Sequence, residues 1–139
     1  MERKFKILRI DHVAIAVSDL NASVPLFDLL GMHSNPIESI DKEEVNVMKI
    51  FPDNKDHTIE LLEPNTESSV IKKFLNKKGQ GMHHIALQVD DIENAISYLK
   101  SNNIKLIYES PQVGADQKLI TFIHPKDTPG ILIELCQNS

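Results

Sequence analysis

Asp11-His12-Val13-Ala14-Ile15-Ala16-Val17-Ser18-Asp19-Leu20 returns later in the chain as His83-His84-Ile85-Ala86-Leu87-Gln88-Val89-Asp90-Asp91-Ile92. A second pair of matching segments closes each half, Thr58-Ile59-Glu60-Leu61-Leu62 and Leu132-Ile133-Glu134-Leu135-Cys136. His12 and His84 are separated by nearly the interval that separates Glu60 from Glu134. An internal repeat sets the architecture before any local reading does. Here each half supplies one histidine early and one glutamate late. Two imidazoles and two carboxylates, placed in symmetric positions by duplication, are what a divalent-metal site needs.

Outward from the first copy, Ile7 to Val17 reads as a strand, rich in β-branched residues and alternating in character. Ser18-Asp19 offers an N-cap, and Leu20 to Leu30 has helical spacing, with Leu20, Val24, Phe27 and Leu30 on one side. Pro25 is tolerated in the first turns of that helix, and Gly31 terminates it. Strands follow at Val45 to Phe51 and His57 to Leu62, joined by the turn-rich Pro52-Asp53-Asn54-Lys55-Asp56. Ser68-Ser69 caps a short helix carrying Val70, Ile71, Phe74 and Leu75, which ends at Gly79-Gln80-Gly81.

The second half replays this order. A strand from His83 to Val89 is followed by Asp90-Asp91 as cap and a helix from Ile92 to Ser101. Strands are expected at Lys105 to Glu109, Leu119 to His124 and Ile131 to Cys136, with Pro125 to Gly130 as the last hairpin loop. Each half therefore reads as β-α-β-β-β, an α+β class. The whole chain, 1–139, is expected to be one domain: a first module over about 7–64, a connector helix over about 65–80 and a second module over about 81–137.

A chain of 139 residues is long enough to bury roughly two-thirds of the surface its unfolded form exposes. Its 41% hydrophobic and 25% charged residues argue against disorder and against a membrane protein. No run approaches the roughly 20 apolar residues a spanning helix requires. The opening Met1-Glu2-Arg3-Lys4-Phe5-Lys6 lacks a secretory signal's apolar stretch, so cytoplasmic residence is the expectation. A net charge of −5 leaves no basic stripe, which excludes nucleic acid as an expected partner; a membrane is not expected either. Lys72, Lys73, Lys77 and Lys78 read as the wet face of a helix. The single cysteine, Cys136, fits a reducing compartment and, in an apolar strand, a packed inert thiol.

Strand alternation links this spacing to chemistry. His12 shares a face with Ala14 and Ala16, and His84 shares one with Ala86 and Gln88. Small neighbours leave room on that face. Glu60 and Glu134 sit between aliphatic residues in strands that read as buried. An ionised carboxylate there costs several kcal/mol unless a cation or donor compensates it. A metal satisfies all four groups at once, and the donor set suits Zn²⁺, Mn²⁺, Co²⁺ or Ni²⁺, with positions left for water or substrate. Any one of the four taken alone also reads as a solvated strand residue; the symmetric set is what favours a site. His33 and His57 read as solvated, and His83 lies on the opposite strand face from His84. His124, before the last hairpin loop, is a candidate for a cavity mouth.

The chain resembles the vicinal-oxygen-chelate superfamily and, within it, the methylmalonyl-CoA epimerases. The likeness runs from Ile10 to Gln137. It is carried by Ile10-Asp11-His12-Val13-Ala14-Ile15-Ala16-Val17, Ile59-Glu60-Leu61-Leu62-Glu63-Pro64, Gly79-Gln80-Gly81-Met82-His83-His84-Ile85-Ala86 and His124-Pro125-Lys126 with Gly130-Ile131-Leu132-Ile133-Glu134-Leu135. It implies two βαβββ modules in a curved, barrel-like mixed sheet around a metal, and a homodimer. It also implies His12, Glu60, His84 and Glu134 as ligands of a divalent ion, Co²⁺ first, with Mn²⁺, Ni²⁺ or Zn²⁺ as alternatives.

The implied reaction interconverts (R)- and (S)-methylmalonyl-CoA, an acyl-CoA thioester, by removing and returning a proton α to the thioester through an enolate. Glu134 is the candidate for one proton transfer. Some members place a second carboxylate where this chain has Asn46 or Val47, and Glu43 and Glu44 read as a solvated turn, so the second proton carrier is open. Many epimerases carry glutamine at the position of Glu60; the glutamate makes the site one charge more negative and leaves a glyoxalase I-type lactoylglutathione lyase as an alternative. A non-catalytic small-ligand-binding protein of the same fold is a further one. An extradiol dioxygenase is disfavoured by the fourth ligand.

Overall fold

Burial along the first strand, β1 (Ile7–Ala16), starts only halfway: Ile7 to Ile10 are exposed, whereas Asp11, His12, Ala14 and Ala16 are buried. The change coincides with a division of the chain, a computed structural model that describes residues 1–138. One compact unit is His12–His83; the other is Met1–Asp11 together with the chain from His84 onward. The division passes through β1, so the strand's exposed half is grouped with the second repeat.

The unit His12–His83 contains α1 (Leu20–Leu29), β2 (His33–Ser34), β3 (Glu38–Ile40), β4 (Val45–Phe51), β5 (Thr58–Pro64) and α2 (Val70–Lys78). Strands run β2-β4-β5-β1, with β3 also on β4. β1 and β5 are parallel and every other pairing in this unit is antiparallel. Asp19 starts α1 by accepting a hydrogen bond from the Asn21 backbone N–H at 2.9 Å. Gly31, at φ 80°, closes it: this left-handed turn lets the Met32 N–H reach the Phe27 carbonyl at 3.0 Å. The face bearing Ala14, Ala16, Val45, Val47 and Leu62 packs on Ile71, Phe74 and Leu75 of α2. The opposite face, with Leu61 and Ile50, packs on Leu20, Val24 and Phe27 of α1.

The second unit contains β6 (Gly81–Val89, most of it), α3 (Ile92–Ser101), β7 (Gln112–Val113), β8 (Leu119–Ile123) and β9 (Leu132–Gln137). Its order is β6-β9-β8-β7, again with one parallel pair, β6 and β9. Asp91 caps α3 by accepting from the Asn94 N–H at 3.0 Å. Ile92, Ala95 and Ile96 pack on Val89, Leu106 and Leu135, while Ala86, Ile120 and Cys136 gather on the other face. Cys136 is a fully buried free thiol, in keeping with a packing role.

Several expectations are corrected. Lys105 to Glu109 is not a strand. Leu106 forms one isolated bridge to Ile123, with the Ile107 N–H bonded to the Phe122 carbonyl at 2.8 Å. The pairing goes no further than this bridge, and Pro111, which has no N–H to give a ladder, precedes the next paired residues. The two-residue β7 takes the place next to β8 instead. β2 and β3 were not anticipated; they are two and three residues long and largely polar, so no periodicity marks them. Leu30 is 65% exposed at the end of α1, where the helical stripe has already run out. Val70 is exposed as the first residue of α2, leaving Ile71 to face the core. Among the described residues no helix is long and apolar enough to cross a membrane.

Candidate metal centre

In the first unit, Ala14 of β1 lies beside Glu60 of β5 in parallel register, and Lys49 of β4 lies opposite the same Glu60 in antiparallel register. His12, two residues before Ala14, shares that face. The His12 Nδ1 atom is 3.5 Å from Glu60 Oε2, and both side chains are under 10% exposed. In the second unit Ala86 lies beside Glu134, and Phe122 lies opposite it. The His84 Nε2 atom is 3.2 Å from Glu134 Oε1, again with both side chains under 10% exposed. Each half thus builds the same object, a buried imidazole against a buried carboxylate, with a methyl group as the neighbour that leaves it room.

The packing that holds each pair is also duplicated. Glu63, three residues beyond Glu60, accepts a hydrogen bond from the Leu20 N–H at 2.8 Å, at the start of α1. Gln137, three residues beyond Glu134, accepts one from the Ile92 N–H at 2.7 Å, at the start of α3. The strand that carries each glutamate is therefore tied to the helix that follows each histidine strand. This satisfies one of the N–H groups a helix start leaves without an intrahelical partner. Reasoning from the sequence missed Glu63 and Gln137, although they share the interval between Glu60 and Glu134. In the second half, the His84 and Phe122 rings also meet in a T-shaped contact, with centroids 5.8 Å apart at 82°.

Two imidazoles and two carboxylates, all buried, are a fitting donor set for a borderline divalent cation. Carboxylates at that depth are expensive unless a positive charge or donors offset them. The buried histidine–glutamate pairs therefore suggest a divalent-metal site. A family model described as the Glyoxalase/Bleomycin resistance protein/Dioxygenase superfamily matches residues 11–122. Methylmalonyl-CoA epimerase, mitochondrial, of Dictyostelium discoideum is 37% identical over 134 residues, covering 95% of this chain and 80% of that protein. The chain belongs to this superfamily and, within it, to the methylmalonyl-CoA epimerase family.

Solved structures of the family share its fold, an α+β arrangement with three helices and a mixed sheet. The crystal structure of methylmalonyl-CoA epimerase from Mycobacterium tuberculosis aligns with a TM-score of 0.90 at 36% identity, covering 96% of this chain and 89% of that one. A variant of the Streptomyces coelicolor epimerase, in complex with 2-nitronate-propionyl-CoA, aligns with a TM-score of 0.88 at 32% identity, covering 96% of both chains.

The other histidines are accounted for locally. His33, in β2, bonds Asp53 at 2.6 Å and is exposed; His57 is exposed. His83 stacks edge-on against Phe74 of the connecting helix, with centroids 5.0 Å apart. His124 caps the short turn Pro125–Asp127, its Nδ1 accepting from the Lys126 N–H at 3.2 Å. Glu43 lies in an exposed turn, and Glu44 follows it in the left-handed conformation. Thr66 and Ser68 hydroxyls donate to the Glu44 carboxylate and hold it below the usual glutamate range. The register expected for a second acid holds Asn46, bonded to Glu63 at 3.1 Å, and the buried Val47.

Proposed function

We propose that this chain is a metal-dependent epimerase that interconverts (R)- and (S)-methylmalonyl-CoA. The observation that carries this reading is the duplicated pair, His12 with Glu60 and His84 with Glu134, in a chain of the epimerase family. We assign all four side chains, His12, Glu60, His84 and Glu134, to one divalent ion. Co²⁺ is the assigned metal, with Mn²⁺, Ni²⁺ and Zn²⁺ compatible with the same donors. The two modules then work as a single domain, in a cytoplasmic homodimer.

When bound, a divalent ion supplies a Lewis acid for the thioester oxygen and the neighbouring carboxylate of the substrate. The protein's own contributions are separate. His12 and His84 each stand beside the carboxylate that would share the ion with them, at 3.5 and 3.2 Å. Ala14 and Ala86 leave open the space beside Glu60 and Glu134 that larger side chains would fill. Glu134 is assigned to one of the two proton transfers at the carbon between thioester and carboxylate. Phe122, directly opposite Glu134, and the apolar cluster of Ala86, Ile120 and Cys136 on the same face surround that carboxylate with non-polar groups.

Solvent deuterium incorporation into methylmalonyl-CoA tests the reading. Chelator-treated protein should be inactive, Co²⁺ should restore exchange, and His84→Ala should lose both metal and exchange. Stoichiometric Co²⁺ with no exchange, or undiminished exchange by metal-free protein, would overturn it. Turnover of the glutathione hemithioacetal of methylglyoxal in preference to the CoA thioester would overturn the substrate assignment.

A further inference from the structure

The two halves place their glutamates alike but surround them unlike. In the first, the row across three strands is Ala14, Glu60, Lys49; in the second it is Ala86, Glu134, Phe122. The rows correspond position by position, so a cation in one half occupies the place of an aromatic ring in the other. Val45 and Val47 of β4 are buried in the cluster with Ala14, Ala16 and Leu62. Lys49, two residues further on, therefore stands on the same face as His12 and Glu60.

Directly opposed residues of an antiparallel pair have Cβ atoms roughly 5 Å apart, well within reach of a lysine side chain. Lys49 is half-buried and is not without partners, and its carbonyl accepts from the Asn35 N–H at 3.0 Å, which fixes its strand. Phe122 in the matching place contributes a T-shaped ring contact to His84 and no charge. The asymmetry sets a cation against one of two otherwise equivalent carboxylates.

We infer that Lys49 is a positioning residue for the candidate metal centre, its ammonium group compensating the charge of Glu60. The inference rests on the metal reading given above. Without metal, Lys49 is the cation that stands directly opposite the buried Glu60 carboxyl group. With metal, the same ammonium repels the cation and competes for Glu60, so it weakens binding and leaves the ion less neutralised by its ligands.

The consequence is directional: removing Lys49 should destabilise the metal-free protein and tighten metal binding, a combination that a purely structural role does not give. Thermal unfolding of chelator-treated protein and Co²⁺ titration by calorimetry, on the full chain, test it with Lys49→Met, Lys49→Arg, Glu60→Gln and the Lys49→Met/Glu60→Gln double variant. Lys49→Met should lower the metal-free Tm by about 4 °C, and by only about 1 °C where Glu60 is already glutamine. Lys49→Met should bind Co²⁺ about tenfold more tightly, equivalent to ~1.4 kcal/mol. Lys49→Arg should match the parent protein in both measurements. Equal loss of Tm in both backgrounds, or Co²⁺ binding that weakens or does not change in Lys49→Met, overturns the inference. Failure of the parent protein to bind Co²⁺ overturns the metal reading instead, and the thermal cycle then decides the Lys49–Glu60 pairing by itself.

Discussion

Lys118→Met is the substitution whose cost can be worked most directly from the structure. Asp11, one residue before His12, is buried, and its side chain is only 7% exposed. The Lys118 Nζ atom lies 2.9 Å from Asp11 Oδ2, itself partly sheltered at 21% exposure. Arg9 approaches the other carboxylate oxygen at 3.9 Å from a more exposed position. Removing one partner of a fully buried ion pair costs about 3–5 kcal/mol, because the remaining charge is left without compensation. Here Lys118 keeps some contact with water and Arg9 remains, so the expected loss falls to about 2 kcal/mol. For a chain of this length that corresponds to a Tm decrease of about 8 °C. Differential scanning calorimetry near neutral pH measures it. The double variant Lys118→Met/Asp11→Asn should recover about half of the loss, since the uncompensated charge is gone. A decrease under about 2 °C, or strict additivity of the two substitutions, would refute the account of Asp11 as a charge held by Lys118.

Other predictions concern the framework and the site. Ala86→Leu puts a larger side chain beside Glu134 where Ala86 is fully buried against Ile120 and Cys136. It should cost about 1–3 kcal/mol in Tm measurements and reduce bound Co²⁺ per chain; full metal loading would contradict the assignment of that space. Glu63→Ala and Gln137→Ala each leave a helix-start N–H without its partner. Each should lower stability by about 1 kcal/mol, read from urea unfolding, and no change in either would remove the duplicated tie. The hydrogen bonds from Ser68 and Thr66 depress the Glu44 pKa below its ordinary 4.5. A depressed carboxylate contributes stability that is present above the ordinary pKa and lost as pH falls through the folded value. Glu44→Gln should therefore flatten the acid limb of a Tm-against-pH profile below about pH 4.5, and an unchanged limb would contradict it. Thr121→Val removes the fully buried hydroxyl that donates to the Tyr108 carbonyl at 2.7 Å. The cost should be about 1–2 kcal/mol, and a neutral result would mean that the carbonyl finds another donor.

What could be read from the sequence, and what could not, divides along the range of the interactions. The helices are local objects: Asp19, Ser69 and Asp91 each precede a run with helical spacing, and each caps the helix it precedes. The pairing of His12 with Glu60 and of His84 with Glu134 is also readable, because alternation along one strand says which residues share a face, and the repeat says which faces correspond. Lys105 to Glu109 misled because its alternation is real but only Leu106 finds a partner, Ile123, and whether a strand is paired is decided by residues outside the window. Lys49 and Phe122 are of a third kind. Each acquires meaning only from the residue opposite it on another strand, and a shift of one position in that pairing would turn either to the other face. Register is non-local, yet duplication makes it partly recoverable: once Glu60 and Glu134 are matched, an antiparallel neighbour of one has a counterpart beside the other. Comparing those counterparts exposes the difference that a search for identical residues passes over. By that reasoning the matching residues define what both halves must do, hold an imidazole against a carboxylate. The mismatched pair, Lys49 against Phe122, then marks where the halves differ, one setting a cation opposite its glutamate and the other an aromatic ring.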